Sequence, residues 1–128
     1  MLSGTFYTLG SVQRTGNPAD QVTLEARVFL VPGHPIYDGH FPGQPVVPGV
    51  CQVQMVQELT SMALDMPLRL VASDNIKFMS MIDPGTNPEL DFSLTIRKRE
   101  DGPWSVSASI RSEASVFLKF SGKFEPRA

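Results

Sequence analysis

Cysteine, histidine and tryptophan are scarce in this chain of 128 residues, which contains one Cys, two His and one Trp. Because Cys51 has no partner, no disulfide can form within the chain. His34 and His40 stand six positions apart and, with a single cysteine, do not supply a usual zinc ligand set, so we expect neither a metal nor a cofactor. The formal net charge is only -2, which argues against nucleic acid as a partner.

Long apolar runs are also missing. No stretch approaches the ~20 apolar residues that a membrane-spanning helix needs, and the first residues lack the basic segment of a targeting signal. We therefore expect a cytoplasmic protein without a membrane span. Apolar residues make up 41% of the chain, enough for a buried core, and the length fits a single domain over residues 1–128.

Apolar and polar residues alternate in several segments, which is the pattern of half-buried strands. The clearest segments are residues 22–30, 90–96, 104–110 and 116–120, and residues 6–14 form a plausible first strand that a turn at 15–18 ends. Short connections between the later segments favour antiparallel pairing.

The periodicity changes between Pro48 and about Asp65, where it becomes helical. An apolar stripe is formed by Met55, Leu59, Met62, Ala63 and Met66, widened by Val50, Val53 and Val56. A narrow polar line is formed by Gln54, Glu58, Ser61 and Asp65. The sequence predicts an α+β fold in which a curved antiparallel sheet wraps around one long helix.

Residues 40–49, His-Phe-Pro-Gly-Gln-Pro-Val-Val-Pro-Gly, contain three prolines and two glycines and predict a stiff, sharply shaped loop. His40 stands at the head of this loop, and the predicted helix begins at its tail. Free N–H groups and the helix dipole favour negative charge at such a helix start. Proton transfer at a carbon next to a carbonyl needs at least a base and a nearby site that stabilises negative charge.

The segment from Gly39 to Val50 resembles the signature of the 3-hydroxyacyl-acyl-carrier-protein dehydratases of bacterial fatty-acid synthesis. Weaker matches follow in the family's order at residues 76–78 and 83–85. The resemblance implies the hotdog fold. It also implies dehydration of a 3-hydroxyacyl thioester, carried by acyl carrier protein or coenzyme A, to the trans-2-enoyl thioester. The family forms dimers in which each active site uses both chains, so we expect a homodimer or a heterodimer, or a higher assembly of dimers.

The family's roles are transferred position by position. His40 occupies the position of the base that takes the α-proton, and the Gly49 N–H occupies the position that polarises the thioester carbonyl. The Val46 carbonyl stands where the family orients the imidazole. The substrate is expected to contact Phe41, Val46, Pro48, Val50 and Glu58.

Gln54 departs from the family, which places a carboxylic acid at this position, fourteen residues after the histidine. An amide can hydrogen-bond the 3-hydroxyl but has no titratable proton to give. Three hypotheses remain open. Glu58, displaced by ~6 Å along the helix, acts instead through a water; a partner subunit supplies the carboxylate; or the chain binds acyl thioesters without catalysis. Thioester hydrolysis is less favoured, because it generally needs a carboxylate to activate water.

Overall fold

The computed structural model describes residues 2–39, 45–100, 102–113 and 115–127. Its strands are β1 (Tyr7–Asn17), β2 (Gln21–Leu30), β3 (Leu68–Phe78), β4 (Glu89–Lys98), β5 (Trp104–Ser112) and β6 (Ser115–Pro126). Its helices are a 3-10 turn, Pro35–Gly39, and the α-helix α1, Gly49–Leu64. Within the described residues, no helix has both the length and the apolar character needed to cross a bilayer.

The strands form one six-stranded sheet in the order β1-β2-β4-β5-β6-β3, with every neighbouring pair antiparallel. The helix α1 connects β2 to β3, so the chain passes from one side of the sheet to its far edge. One long helix inserted between two groups of antiparallel strands is the predicted α+β arrangement, and the predicted hotdog fold is confirmed.

The core lies between one face of the sheet and α1. On β2, for example, Val22, Leu24 and Val28 are fully buried, whereas Glu25 and Arg27 between them are exposed. From the helix, Met55 and Leu59 contribute side chains that are at most 1% exposed. Burying a side chain of this size contributes about 1.5–3 kcal/mol. Apolar packing therefore fixes the position of α1 against the sheet.

The predicted turn at residues 15–18 is wrong in position. Strand β1 continues to Asn17, which pairs with Gln21. The chain reverses at residues 18–20, where the Asn17 carbonyl accepts a hydrogen bond from the Asp20 N–H at 2.9 Å and its side-chain Oδ1 accepts one from the Ala19 N–H at 2.9 Å. Asparagine bonded to the backbone two residues ahead is a usual turn-forming arrangement.

The helix has nearly the predicted bounds but a different buried face. Val50 and Met62 were expected in the apolar stripe, yet they are 77% and 40% exposed. Gln52 and Thr60 are buried instead. Thr60 and the amide nitrogen of Gln52 form local hydrogen bonds, whereas the buried Gln52 Oε1 has no partner among the described residues. Gln52 Nε2 donates to the Val47 carbonyl at 3.3 Å, and Thr60 Oγ1 donates to the Val56 carbonyl at 2.7 Å.

Candidate active site

Six of the eight predicted site residues lie on α1 or directly before it; His40 and Phe41 lie outside the described residues. The six are Val46, Pro48, Gly49, Val50, Gln54 and Glu58. The structure brings Gly49, Val50 and Gln54 together on the wall of one groove. Val46 and Pro48 are half-buried in the segment that leads into the helix.

The Gly49 N–H in the first turn of α1 has no acceptor among the described residues. Pro48 is the residue before the helix, with extended backbone angles, and its carbonyl accepts the N–H groups of Cys51 at 3.0 Å and Gln52 at 3.1 Å. A backbone donor such as the Gly49 N–H, at a helix N-terminus, stabilises negative charge.

The ring of Phe78 lies against Gly49. A Cβ atom built on Gly49 would be 2.7 Å from Phe78 Cζ, closer than real Cβ contacts. Phe78 belongs to β3 and is 51% exposed, so its ring covers the start of α1 from the outside. Glycine at position 49 therefore allows an aromatic ring to lie directly over the free helix start.

The α1–β3 groove is a cavity of about 530 Å³ beside this helix start. It is lined by Gly49, Val50, Val53, Gln54, Gln57, Ile76 and Phe78. Its walls are mainly aliphatic and aromatic, which suits an acyl chain, and Gln54 and Gln57 are its polar groups. Gln54 and Gln57 also border an adjoining cavity of about 290 Å³ further along α1.

Sequence reasoning did not identify four of these lining residues as site residues: Val53, Gln57, Ile76 and Phe78. A signal was present for all of them. Val53 and Gln57 follow Gly49 at intervals of four, which places them on the same side of a helix. Ile76 and Phe78 alternate on one face of a strand, but the sequence does not state which face of which strand adjoins the helix.

Gln54 and Glu58 are in direct contact. Gln54 Nε2 donates to Glu58 Oε2 at 2.9 Å, one helical turn away. The same carboxylate accepts the N–H groups of Leu2 at 2.8 Å and Ser3 at 3.0 Å, and the Tyr7 hydroxyl at 3.1 Å. Glu58 is thus held by four donors, three of which come from the N-terminal segment.

These donors determine the ionisation of Glu58. Burial alone would raise the pKa of this carboxyl, but the hydrogen bonds from Leu2, Gln54, Ser3 and Tyr7 outweigh it and lower the pKa below its usual value. Burial, and then the charge of Glu58, raise the pKa of Tyr7, so its phenol stays protonated as a donor. Glu58 is therefore a carboxylate with no proton to give near neutral pH, which counts against the hypothesis that it replaces the missing acid.

The remaining reactive side chains, Cys51 and His34, have surroundings that indicate structural roles. Cys51 is 6% exposed, and burial raises the pKa of its thiol, which opposes a role as nucleophile. His34 Nδ1 accepts the Ile36 N–H at 3.1 Å, and its ring meets Phe6 edge-on. Among the described His, Cys, Asp and Glu residues, no three lie close enough together to hold a metal ion.

Comparison with known proteins supports an enzyme family. The sequence profile of the ApeI-like family, described as ApeI dehydratase, matches residues 15–120. A 3-hydroxyacyl-acyl-carrier-protein dehydratase FabZ of Geotalea uraniireducens is 33% identical over 104 residues, which cover 70% of each chain. A thioester dehydrase of Halalkalibacterium halodurans is 29% identical over 100 residues, covering 72% of this chain and 63% of the relative, somewhat less than two thirds of its length.

Solved structures show the same fold. The dehydratase heterocomplex ApeI:P from Xenorhabdus doucetiae contains a chain that superposes with a TM-score of 0.57 at 20% identity, covering 90% of this chain and 95% of that one. At this identity the likeness concerns the arrangement of the strands and the helix.

Proposed function

Because this chain belongs to the ApeI-like dehydratase family, we propose that it removes water from a 3-hydroxyacyl thioester to give the trans-2-enoyl thioester. The substrate is expected to be carried by acyl carrier protein or coenzyme A. The observation that carries the proposal is the apolar α1–β3 groove, which is lined in part by Gly49, a residue whose N–H has no acceptor among the described residues. An acyl chain in this groove would place its thioester carbonyl next to a donor that stabilises developing negative charge.

The proposed reaction divides the work between an imidazole and a backbone N–H group. The His40 imidazole takes the α-proton, and the electron pair of the broken Cα–H bond delocalises onto the thioester carbonyl. The Gly49 N–H stabilises the negative charge that gathers on the thioester oxygen. The electron pair then forms the Cα=Cβ double bond as the Cβ–O bond breaks, and the hydroxyl leaves as water after it receives a proton.

The proton balance closes without a carboxylic acid. One proton is taken from the α-carbon and one is given to the leaving hydroxyl, so the imidazolium formed in the first step can return what it took. Gln54 can hold the 3-hydroxyl through its amide but cannot protonate it. Replacing a general acid typically costs on the order of 10²–10⁴ in rate, so the missing carboxylate predicts a slower enzyme.

A second subunit is part of the proposal. Strand β3 is an edge of the sheet, and it leaves large apolar side chains exposed at Val71 and Phe78, with Met79 directly after it. An exposed apolar edge strand favours pairing with another strand. We expect a second copy of this chain, or a different subunit, to pair here and complete the site. A heterodimer is in keeping with the structural neighbour from Xenorhabdus doucetiae, which is a dehydratase heterocomplex.

Product identification tests the proposal. The purified chain is given a 3-hydroxyacyl thioester on acyl carrier protein and on coenzyme A, alone and mixed with a candidate partner dehydratase, and the products are resolved by mass. Enoyl thioester and water support the proposal. Free acid and thiol indicate a thioesterase. Unchanged substrate in every mixture, together with measurable binding, indicates a non-catalytic subunit. This is the second candidate function, because Gln54 has no titratable proton to give.

A further inference from the structure

Glu58 joins the N-terminal segment, the middle of α1 and the candidate site at one carboxylate. Its two oxygens receive hydrogen bonds from two backbone N–H groups, of Leu2 and Ser3, and from the side chains of Tyr7 and Gln54, at 2.8 to 3.1 Å. Three of these donors lie 51 to 56 residues away along the chain. A carboxylate held from several directions has little freedom to rotate, so its position is fixed for any group that binds it.

This carboxylate decides which way the Gln54 amide faces. An ionised carboxylate only accepts hydrogen bonds, so the amide nitrogen of Gln54, and not its oxygen, must point toward Glu58. The contact uses one of the two amide N–H bonds. The second N–H and the Oε1 oxygen remain for other partners, and no described residue donates a hydrogen bond to Oε1. Gln54 also lines the α1–β3 groove, so its side chain can contact a ligand bound there.

We infer that Glu58 is a positioning residue that locks the orientation of the Gln54 amide toward the 3-hydroxyl of the bound thioester. The inference rests on the proposed dehydratase function. Gln54 then meets the hydroxyl with a fixed donor and a fixed acceptor, and Glu58 itself does not touch the substrate. In this arrangement the carboxylate one turn beyond position 54 orients the amide that stands in place of an acid.

A double-mutant cycle separates positioning from a general structural role. The rate constant kcat and KM are measured for the wild type, Glu58→Gln, Gln54→Ala and the double variant, at a temperature at which all four are folded. Glu58→Gln is expected to lower kcat on the order of tenfold with little change in KM, because the introduced amide can offer an N–H and let the Gln54 amide turn over. In the Gln54→Ala background the same change is expected to alter kcat less than about twofold. Equal losses in both backgrounds would overturn the inference.

Ser61→Ala is the matched control. Ser61 lies on the same polar line of α1, and its hydroxyl bonds the Leu68 N–H at 3.2 Å without contacting Gln54. Its loss is expected to lower stability and to leave kcat unchanged. A fall in kcat comparable to that of Glu58→Gln would show that any loosening of this helix face affects catalysis, and the specific role of Glu58 would be withdrawn.

A measurement without turnover keeps the two proposals distinguishable. The side-chain amide signals of Gln54, identified in NMR spectra by their loss in Gln54→Ala, are expected to be shifted from free-glutamine positions in the wild type and to return toward them in Glu58→Gln. Free-glutamine positions in the wild type overturn the inference whether or not the enzyme turns over. Shifted signals without any dehydration, alone or with a partner, leave the orientation by Glu58 intact and remove the proposed function.

Discussion

Replacing Glu58 with glutamine tests how much the four hydrogen bonds to its carboxylate stabilise the fold. The substitution keeps the size and shape of the side chain, but one carboxylate oxygen becomes an NH₂ group that cannot accept. Each oxygen receives two donors: Oε1 those of Ser3 and Tyr7, Oε2 those of Leu2 and Gln54. Whichever way the new amide turns, one pair of donors therefore loses its acceptor.

The expected loss follows from the surroundings of these donors. Three of the four hydrogen bonds are partly buried, and the one from Ser3 is exposed, so water replaces it at little cost. A hydrogen bond to a charged group contributes about 1.5–3 kcal/mol when desolvated and less near water. We expect Glu58→Gln to lower the free energy of unfolding by about 2 kcal/mol at neutral pH. In a chain of this length this corresponds to a fall in Tm of roughly 6–10 °C.

The difference in the free energy of unfolding between the wild type and Glu58→Gln should decrease as the pH falls. The pKa of Glu58 is lowered in the folded chain relative to the unfolded one, so the carboxylate stabilises the fold at pH values above the unfolded pKa of about 4.3. As the pH falls through the folded pKa, the group is protonated and this contribution is lost. The gap between the wild type and Glu58→Gln is thus expected to be full at neutral pH and to close in acid.

Chemical denaturation followed by far-UV circular dichroism measures the free energy of unfolding and, when repeated at several pH values, its dependence on pH. The matched control is Glu25→Gln, because Glu25 is exposed and accepts a single hydrogen bond, from Ser93 Oγ. The control should change the free energy of unfolding by less than about 0.5 kcal/mol. Equal stability of Glu58→Gln and the wild type at neutral pH, or a gap that widens as the pH falls, would refute the reasoning.

Three further predictions concern α1. Gly49→Ala places a Cβ 2.7 Å from Phe78 Cζ, so the exposed ring should move, and the free energy of unfolding should fall by about 1 kcal/mol. The KM for the acyl substrate should rise, which titration of that substrate in rate assays will show. Gln54→Glu supplies a titratable proton, and the neighbouring Glu58 carboxylate should raise its pKa, so kcat is expected to increase by up to the order of 10²–10⁴ in initial-rate assays. Arg14→Gln removes the 2.7 Å bond from Arg14 Nε to the Ala63 carbonyl in the last turn of α1 and should lower Tm by roughly 3–5 °C in thermal melts.

Each of these has an outcome that counts against it. An unchanged KM in Gly49→Ala would show that the ring of Phe78 does not border the acyl site. In the Gly49→Ala background, Phe78→Leu should restore the KM, because the smaller side chain leaves room for the new methyl group. Equal rates for Gln54→Glu and the wild type would show that the site does not lack an acid. An unchanged Tm for Arg14→Gln would mean that water replaces this cap without loss.

The fold was largely predictable because its patterns are local. Strands β2, β4 and β5 alternate cleanly between buried and exposed residues, and these three strands occupy the middle of the sheet. Edge strands gave weaker signals. Strand β3 carries register shifts on both sides of Ala72 and Ser73, and most of its residues are exposed.

The candidate site was predictable only in part. The resemblance of residues 39–50 to the dehydratase signature implied site roles for Gly49, Val50 and Gln54, and the change to helical spacing predicted that they lie at or near the start of a helix. The surroundings of Glu58 were not predictable. Its backbone donors carry no side-chain information, and they reach it from more than fifty residues away in sequence. Contacts of this kind depend on how the first residues cross α1, which no periodicity records.

The rate of enoyl thioester formation with an α-deuterated 3-hydroxyacyl thioester tests the central claim most directly. If the imidazole at position 40 removes the α-proton, the wild type should convert the deuterated substrate more slowly than the ordinary one, and His40→Ala should lose at least about a hundredfold in rate. Conversion of both substrates by His40→Ala at the rate of the wild type would contradict the account.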